Sequence, residues 1–258
     1  MAILELRGLT KYFGKNLAVN GLDMVVGEGQ IRGLIGPNGS GKTTVFNLIS
    51  GFLRPSRGRV LWQGRDITHL PAHRIAKLGL ARTFQLTALY KELTVLQNVV
   101  MCAHLHCQTN LWQQFRRDRK TRRKEQRTEN RARELLEQMG LAAIAHERAG
   151  ELPHGHAAAL GIANALATEP RMILLDEPVG GMNPTETAET MARIRAVRDS
   201  GVTLLLVEHD MNAVISTCDE ITCINFGNKI GEGPPGAVCG KPEVVKAYLG
   251  EDVGECFL

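Results

Sequence analysis

Short apolar runs separated by glycine- and proline-bearing turns make up the two ends of this chain, and a charged stretch divides them. The first 30 residues read as short strands and turns. Ile3-Leu4-Glu5-Leu6 alternates apolar with polar, and Leu17 to Val26 is a second apolar run broken at Gly21. Ile31 to Ile35 has strand length, and Val45-Phe46-Asn47-Leu48-Ile49 continues as a helix. Gly51 to Arg57 is a turn around Pro55, and Gly58 to Trp62 is a strand closed by Gly64. His73 to Leu78 reads as a short helix, and Leu80 to Phe84 as a strand that delivers Gln85.

The middle of the chain changes character. Thr94 to Leu111 carries helical spacing through Val95, Val99, Cys102 and Ala103, with Thr94 placed as N-cap. From Arg116 to Arg133 there is almost no apolar face, which predicts a solvated helix or a mobile arm. Past Leu152 the alternation of strand and helix returns. Ala157 to Ala167 is a buried helix stopped by Pro170, and Met172 to Leu175 is a buried strand ending in Asp176-Glu177-Pro178. Thr185 to Asp199 is a helix, and Val202 to Val207 is a second buried strand, ending in Glu208-His209-Asp210. Such alternation predicts a mainly parallel sheet covered by helices, whose ligands sit beyond the carboxyl ends of the strands. Gly36, Asp176 and His209 all fall at such ends, so they are expected in one site.

The chemistry at the first of those ends is a phosphate loop. Gly36-Pro37-Asn38-Gly39-Ser40-Gly41-Lys42-Thr43-Thr44 follows a strand and opens a helix. Gly39 and Gly41 let the backbone curl until successive N–H groups converge on a phosphate. Lys42 supplies a point charge to the outer phosphates, and Thr43 offers a hydroxyl to Mg²⁺. Asp176 would hold the metal, directly or through water, and Glu177 would polarise the attacking water. His209, just past a strand, is placed to reach the γ-phosphate.

Composition narrows the setting. At 258 residues with 43% hydrophobic content the chain is an ordinary globular length, and no apolar run approaches the roughly 18 residues of a membrane span. The N-terminus carries Glu5 and no long apolar core, which does not read as a signal peptide. Six scattered cysteines (Cys102, Cys107, Cys218, Cys223, Cys239, Cys256) form no Cys-x-x-Cys pair and read as reduced thiols. The net charge is +4, yet Arg116 to Arg133 alone holds ten Lys/Arg against three Asp/Glu, a local +7. The basicity therefore belongs to one segment, with anionic lipid as the functional reading; the stretch lacks the interleaved aromatics that stack nucleic-acid bases.

In this order the motifs resemble the ATP-binding subunits of ABC transporters over nearly the whole chain. Gly36 to Thr44 matches the family's Walker A loop, Leu174 to Pro178 its Walker B, Gln85 in Arg-Thr-Phe-Gln its Q-loop, and His209 its switch histidine. The resemblance implies one α/β P-loop ABC ATPase domain over residues 1–258, with a mainly parallel sheet core, an N-terminal antiparallel β sub-domain and a helical sub-domain at 86–152. It implies ATP and Mg²⁺ as cofactors, Phe13 stacked on adenine, and Thr43, Gln85 and Asp176 around the metal. Leu17-Ala18-Val19-Asn20, Gly181-Met182-Asn183-Pro184 and Lys246 to Glu251 resemble the branch that takes up branched-chain amino acids. No residue reads an amino acid; related branches move urea, short amides or lipopolysaccharide.

The signature loop departs from the family. Where the family has Leu-Ser-Gly-Gly-Gln, this chain has Leu152-Pro153-His154-Gly155-His156, followed by alanines, with Asn164 for an expected Arg and Asn183 for a common Asp. Pro153 removes a hydroxyl and an N–H, Gly155 preserves close backbone approach, and His156 can donate a hydrogen bond to a neighbour's nucleotide. The expected protein is an ATPase peripheral to the cytoplasmic face of the inner (plasma) membrane. Its expected partners are permease subunits, a second ATPase subunit in a heterodimer or homodimer, and a periplasmic or extracellular solute-binding protein, with no nucleic acid. Two rivals stand beside it: a regulatory subunit that binds nucleotide with weak hydrolysis or none, and a soluble ABC ATPase acting on nucleic acid.

Overall fold

Ala2–Phe13 (β1) and Asn16–Gly27 (β2) pair antiparallel as a hairpin of two twelve-residue strands, longer than the broken pattern predicts. The reason is that Gly21 marks an irregularity, not an end. Gly8 and Gly21 both sit at φ 55, and the Gly21 N–H donates to Thr10 Oγ1 at 3.0 Å, so the ladder shifts register and resumes. Arg57–Trp62 (β4) and Arg65–Asp66 (β5) complete a four-stranded antiparallel sheet in the order β2-β1-β4-β5.

This computed structural model describes residues 1–83, 89–106 and 119–249. They fall into two compact units. The first comprises Met1–Leu80, Arg171–Glu177 and Ile194–Leu258, and the second Ala81–Pro170 and Pro178–Arg193.

The first unit contains the parallel sheet. Ile31–Ile35 (β3) lies between Thr203–Val207 (β8) and Glu220–Asn225 (β9), and Met172–Asp176 (β7) pairs with β8, all parallel. Asn228–Gly233 (β10) adds an antiparallel edge, and Leu80–Arg82 (β6) closes the other side. β3, β8 and four of the five β7 residues are fully buried, as a parallel sheet requires. Lys42–Ile49 (α1) drives Phe46 and Ile49 into an apolar core shared with Leu4, Leu6 and Trp62 of the hairpin sheet and Leu34, Leu174 and Leu205 of the parallel sheet. Ala72–Lys77 (α2) adds Ile75 to the same core.

One charge is buried in that sheet. Arg32, on β3, is 2% exposed, and its guanidinium pairs with Glu220 of β9 and Glu232 of β10 and donates to Thr222 Oγ1 at 2.9 Å. A planar fork with fixed donors suits a clamp across three strands better than an ammonium would.

In the second unit, Val95–His106 (α3) packs against Arg119–Gln138 (α4) and His154–Leu166 (α5). Thr94 caps α3 as expected. Its hydroxyl accepts from Gln97 N at 3.1 Å, and Gln97 Oε1 accepts from Thr94 N at 2.9 Å, a reciprocal capping box. The rest of the helix expected to Leu111 lies outside the described residues. Of the two forms predicted for the basic stretch, the described part, from Arg119 on, is helix. Among its described side chains it buries Ala132, Leu135 and Leu136, all in its second half. Pro184–Asp199 (α6), Met211–Thr217 (α7), Pro235–Cys239 (α8) and Pro242–Leu249 (α9) complete the chain. Asn183 accepts from Glu186 N and Glu186 returns the bond, both at 3.0 Å, so the residue that departs from the family's Asp does an N-cap's work at α6.

Removing Arg32 would strand two carboxylates on neighbouring strands. Both are a third to a half exposed and can rehydrate, so the cost is set below that of a fully buried pair. Arg32→Ala should lower the unfolding free energy by about 2 kcal/mol, read as a lower urea midpoint. Glu220→Gln should cost less than half as much. Equal midpoints for wild type and Arg32→Ala would show that the clamp adds nothing.

Candidate nucleotide site

The phosphate loop is wedged between two backbones. Gly36 has φ 152, and a Cβ there would lie 2.1 Å from the Ile224 carbonyl oxygen of β9. Gly41 has φ 107, and its Cβ would lie 2.5 Å from the Ala18 carbonyl oxygen of β2. No side chain fits at either position. Gly39 is also left-handed, at φ 78, but faces open space. The Ser40 carbonyl accepts from the Gly227 N–H at 2.9 Å, and the Gly227 carbonyl accepts from Asn20 N at 2.9 Å, which ties the loop to β2 and to the β9–β10 turn.

Lys42 opens α1 and is buried, its ammonium donating to the carbonyls of Gly36 at 2.6 Å and Pro37 at 2.9 Å. Burial holds its pKa below the usual lysine value, while Glu177, Cys223 and Asp176 pull it back up. The Ser40 hydroxyl is buried with no hydrogen-bond partner among the described residues. A loop with no room for a Cβ at Gly36 or Gly41, a buried cation and a buried hydroxyl without a partner among the described residues together fit a bound phosphate chain. Thr43, next on the helix, is exposed, and Thr44 is half-buried beside it. Pro37 is half-buried and Asn38 exposed at the rim.

Register places the carboxylates. Val207 of β8 stands opposite Leu34 on one side and Asp176 on the other, so the Asp176 backbone lies two strand spacings, roughly 10 Å, from the strand that feeds the loop. Glu177 follows with φ 47, a left-handed conformation that costs a non-glycine residue about 1–2 kcal/mol. Its N–H donates to the Val207 carbonyl at 2.9 Å, so the turn is fixed to the sheet. His209 stands two residues past Val207 with its ring 57% exposed. Beneath it, Glu208 is fully buried and accepts from the His209 N–H at 3.1 Å.

The site expected from the sequence is therefore assembled in one unit: Gly36 to Thr44, Asp176, Glu177 and His209 all belong to the first. Phe13 belongs there too. It is 47% exposed at the hairpin end, with the Lys11 ammonium 5.2 Å from its ring centre. Gln85 lies outside the described residues. Gly155 and His156 belong to the second unit, in the first turn of α5. A Cβ at Gly155 would meet nothing within 4 Å, and the first helical acceptor is the Pro153 carbonyl, bound by Ala157 N at 2.9 Å.

Four contributors escape motif reading. Ala18, Ile224 and Gly227 shape the loop through backbone alone, and the one visible signal is the turn-forming Phe226-Gly227-Asn228. Tyr248 of α9 has a buried hydroxyl lying against the Gly36 backbone, and burial raises its pKa.

Two outcomes follow from this geometry. Gly36→Ala should abolish nucleotide binding and lower stability by about 3 kcal/mol, whereas Gly39→Ala should cost only the backbone strain of about 1–2 kcal/mol. Matching urea midpoints for the two variants would contradict the wedge. For Lys42, bound phosphates favour the charged ammonium, so binding is linked to proton uptake. Burial holds the free-state pKa below the ordinary 10.5, so affinity for a fluorescent nucleotide should fall with rising pH before that value is reached. A flat profile up to pH 10.5 would show that Lys42 titrates as an exposed lysine.

Comparison with known proteins agrees with this reading. The family model described as ABC transporter matches residues 19–180. The chain is 43% identical over 250 residues to the high-affinity branched-chain amino acid transport ATP-binding protein BraF of Pseudomonas aeruginosa, covering 96% of this chain and 98% of that one. It is 38% identical over 250 residues to the corresponding protein LivG of Escherichia coli, with the same coverage. Among solved structures it is similar to the ADP conformation of MJ1267, an ATP-binding cassette of an ABC transporter, with TM-score 0.84, 31% identity and coverage of 97% of this chain and 100% of that one. With its motifs assembled on the matching fold, the chain belongs to the ABC transporter family, as an ATP-binding, ATP-hydrolysing subunit.

Proposed function

We propose that this chain powers an importer of branched-chain amino acids from the cytoplasmic face of the plasma membrane. The observation that carries the solute is near full-length similarity to BraF and LivG, both named for that transport. Among the described residues no helix is long and apolar enough to cross a membrane, so the path for the solute would come from separate permease subunits. A solute-binding protein outside the membrane would deliver it.

The residues divide the work. Gly36 to Thr44 would bind the phosphates, with Lys42 exchanging the Gly36 and Pro37 carbonyls for phosphate oxygens. Thr43 and Asp176 would hold Mg²⁺, joined by Gln85, and the ion would neutralise charge on the outer phosphates. Glu177, held outward by its left-handed backbone, would take the proton of the attacking water. His209 would contact the γ-phosphate, and Phe13 the adenine. Closure of two such subunits around ATP, and reopening after hydrolysis, would drive alternating access in the permease.

The altered signature gives this subunit an asymmetric place. Pro153 leads into α5 with no side-chain cap, so what remains to meet a neighbour's γ-phosphate is the helix N-terminus, the open backbone of Gly155, and the exposed His154 and half-buried His156. The chain's own loop, Asp176, Glu177 and His209 are complete, while its service to a partner's nucleotide is reduced. That combination suits a heterodimer with a second ATPase subunit.

The test is solute-stimulated ATP turnover and uptake in reconstituted vesicles, with Glu177→Gln in this chain, then with the matching change in the partner. Glu177→Gln should reduce turnover by 100-fold or more, on the order expected for loss of a general base. The partner's change should reduce it far less. Equal losses would remove the asymmetry. Nucleotide binding with no turnover, even in the full complex, would make this a regulatory subunit.

A further inference from the structure

The positive charge of the chain is concentrated on one part of one helix. From Arg119 to Arg127, the first half of α4, the sequence holds six Lys/Arg against one Glu. At 100° per residue, the buried positions Ala132, Leu135 and Leu136 lie on one side of the helix. Positions 119, 120, 123 and 127 fall on the opposite arc, and the one acidic position in that half, 125, falls in line with the buried positions. Arg123 and Arg127 are exposed. Neither makes an ion pair among the described residues, whereas farther along Arg131 pairs with Glu134 and Arg133 with Glu129. Among the described side chains, the helix thus pairs its arginines near the end that packs and leaves Arg123 and Arg127 exposed and unpaired.

We infer that this basic face is a docking surface for the anionic headgroups of a lipid bilayer. The face offers charge without apolar or aromatic side chains. A protein partner's interface core is built around desolvated aromatic and apolar anchors, and a single-stranded nucleic acid needs rings on which to stack. A bilayer surface needs neither, because its negative potential acts on charge alone within about a Debye length. A subunit of a membrane transporter meets such a surface wherever it docks. Contact through α4 would hold the second unit against the headgroups, independently of which solute is carried.

The experiment is co-sedimentation of the purified chain with vesicles of phosphatidylcholine alone and with about a third phosphatidylglycerol, at low salt and at about 0.5 M NaCl. The chain should bind the anionic vesicles at low salt, release them at high salt, and leave the neutral vesicles unbound. Arg123→Gln with Arg127→Gln should weaken binding by about 30-fold, roughly fivefold for each charge. Lys15→Gln with Lys241→Gln, exposed positions elsewhere, should leave it unchanged. Inorganic phosphate at millimolar concentration should not compete beyond its contribution to ionic strength. Binding equal on both vesicle types, or unaffected by the Arg123/Arg127 pair, would overturn the inference. So would a preference for single-stranded RNA over the anionic vesicles, which would return the face to nucleic acid.

Discussion

The close approach of three backbones at the phosphate loop is what the first unit is built to hold. Gly36 rests on the carbonyl of Ile224 and Gly41 on that of Ala18, so β9 and β2 grip the loop from two directions. Gly227 tightens the arrangement, donating to Ser40 at a position where a Cβ would collide with the Ala18 carbonyl. The buried Lys42 sits inside that grip, with the loop's own carbonyls standing where phosphate oxygens would. Packing this tight holds the loop backbone in place, and a site that must stabilise charge gains from dipoles already in place.

The same constraint explains what was legible in the sequence. The strand, loop and helix from Ile31 to Ile49 are adjacent in the chain, so spacing alone announces them. The buried strands ending at Asp176 and Val207 are equally plain, since four apolar residues followed by a carboxylate have few other uses. Backbone contacts from distant strands leave no such trace. Ala18 and Ile224 act through carbonyl oxygens, and any residue of suitable backbone shape supplies one. The length of β1 and β2 was hidden for a related reason: Gly21 reads as a stop, whereas in the sheet its positive φ lets the ladder shift and continue.

Charge tells a complementary story. Arg32 is surrounded by apolar strands, yet its pattern position says only that a polar residue interrupts Ile31 to Ile35. Its partners come from Glu220 and Glu232, far along the chain, so the clamp appears only once β9 and β10 flank β3. The basic stretch is the reverse case. Its composition was obvious, and the described part, from Arg119 on, is helix whose apolar residues at 132, 135 and 136 are buried. Local composition gives the amount of charge, and burial decides whether it is spent within the fold or presented outward.

Glu177 sets stability against use at a single position. Its backbone occupies a region that glycine or asparagine would enter with less strain, while its carboxylate is the group on which the proposed hydrolysis turns. Selection of this protein for heat tolerance alone would favour those replacements and drift toward sturdier chains that hold nucleotide without cleaving it. A glutamate in that conformation is thus what the proposed turnover would ask of this position, at the expense of stability.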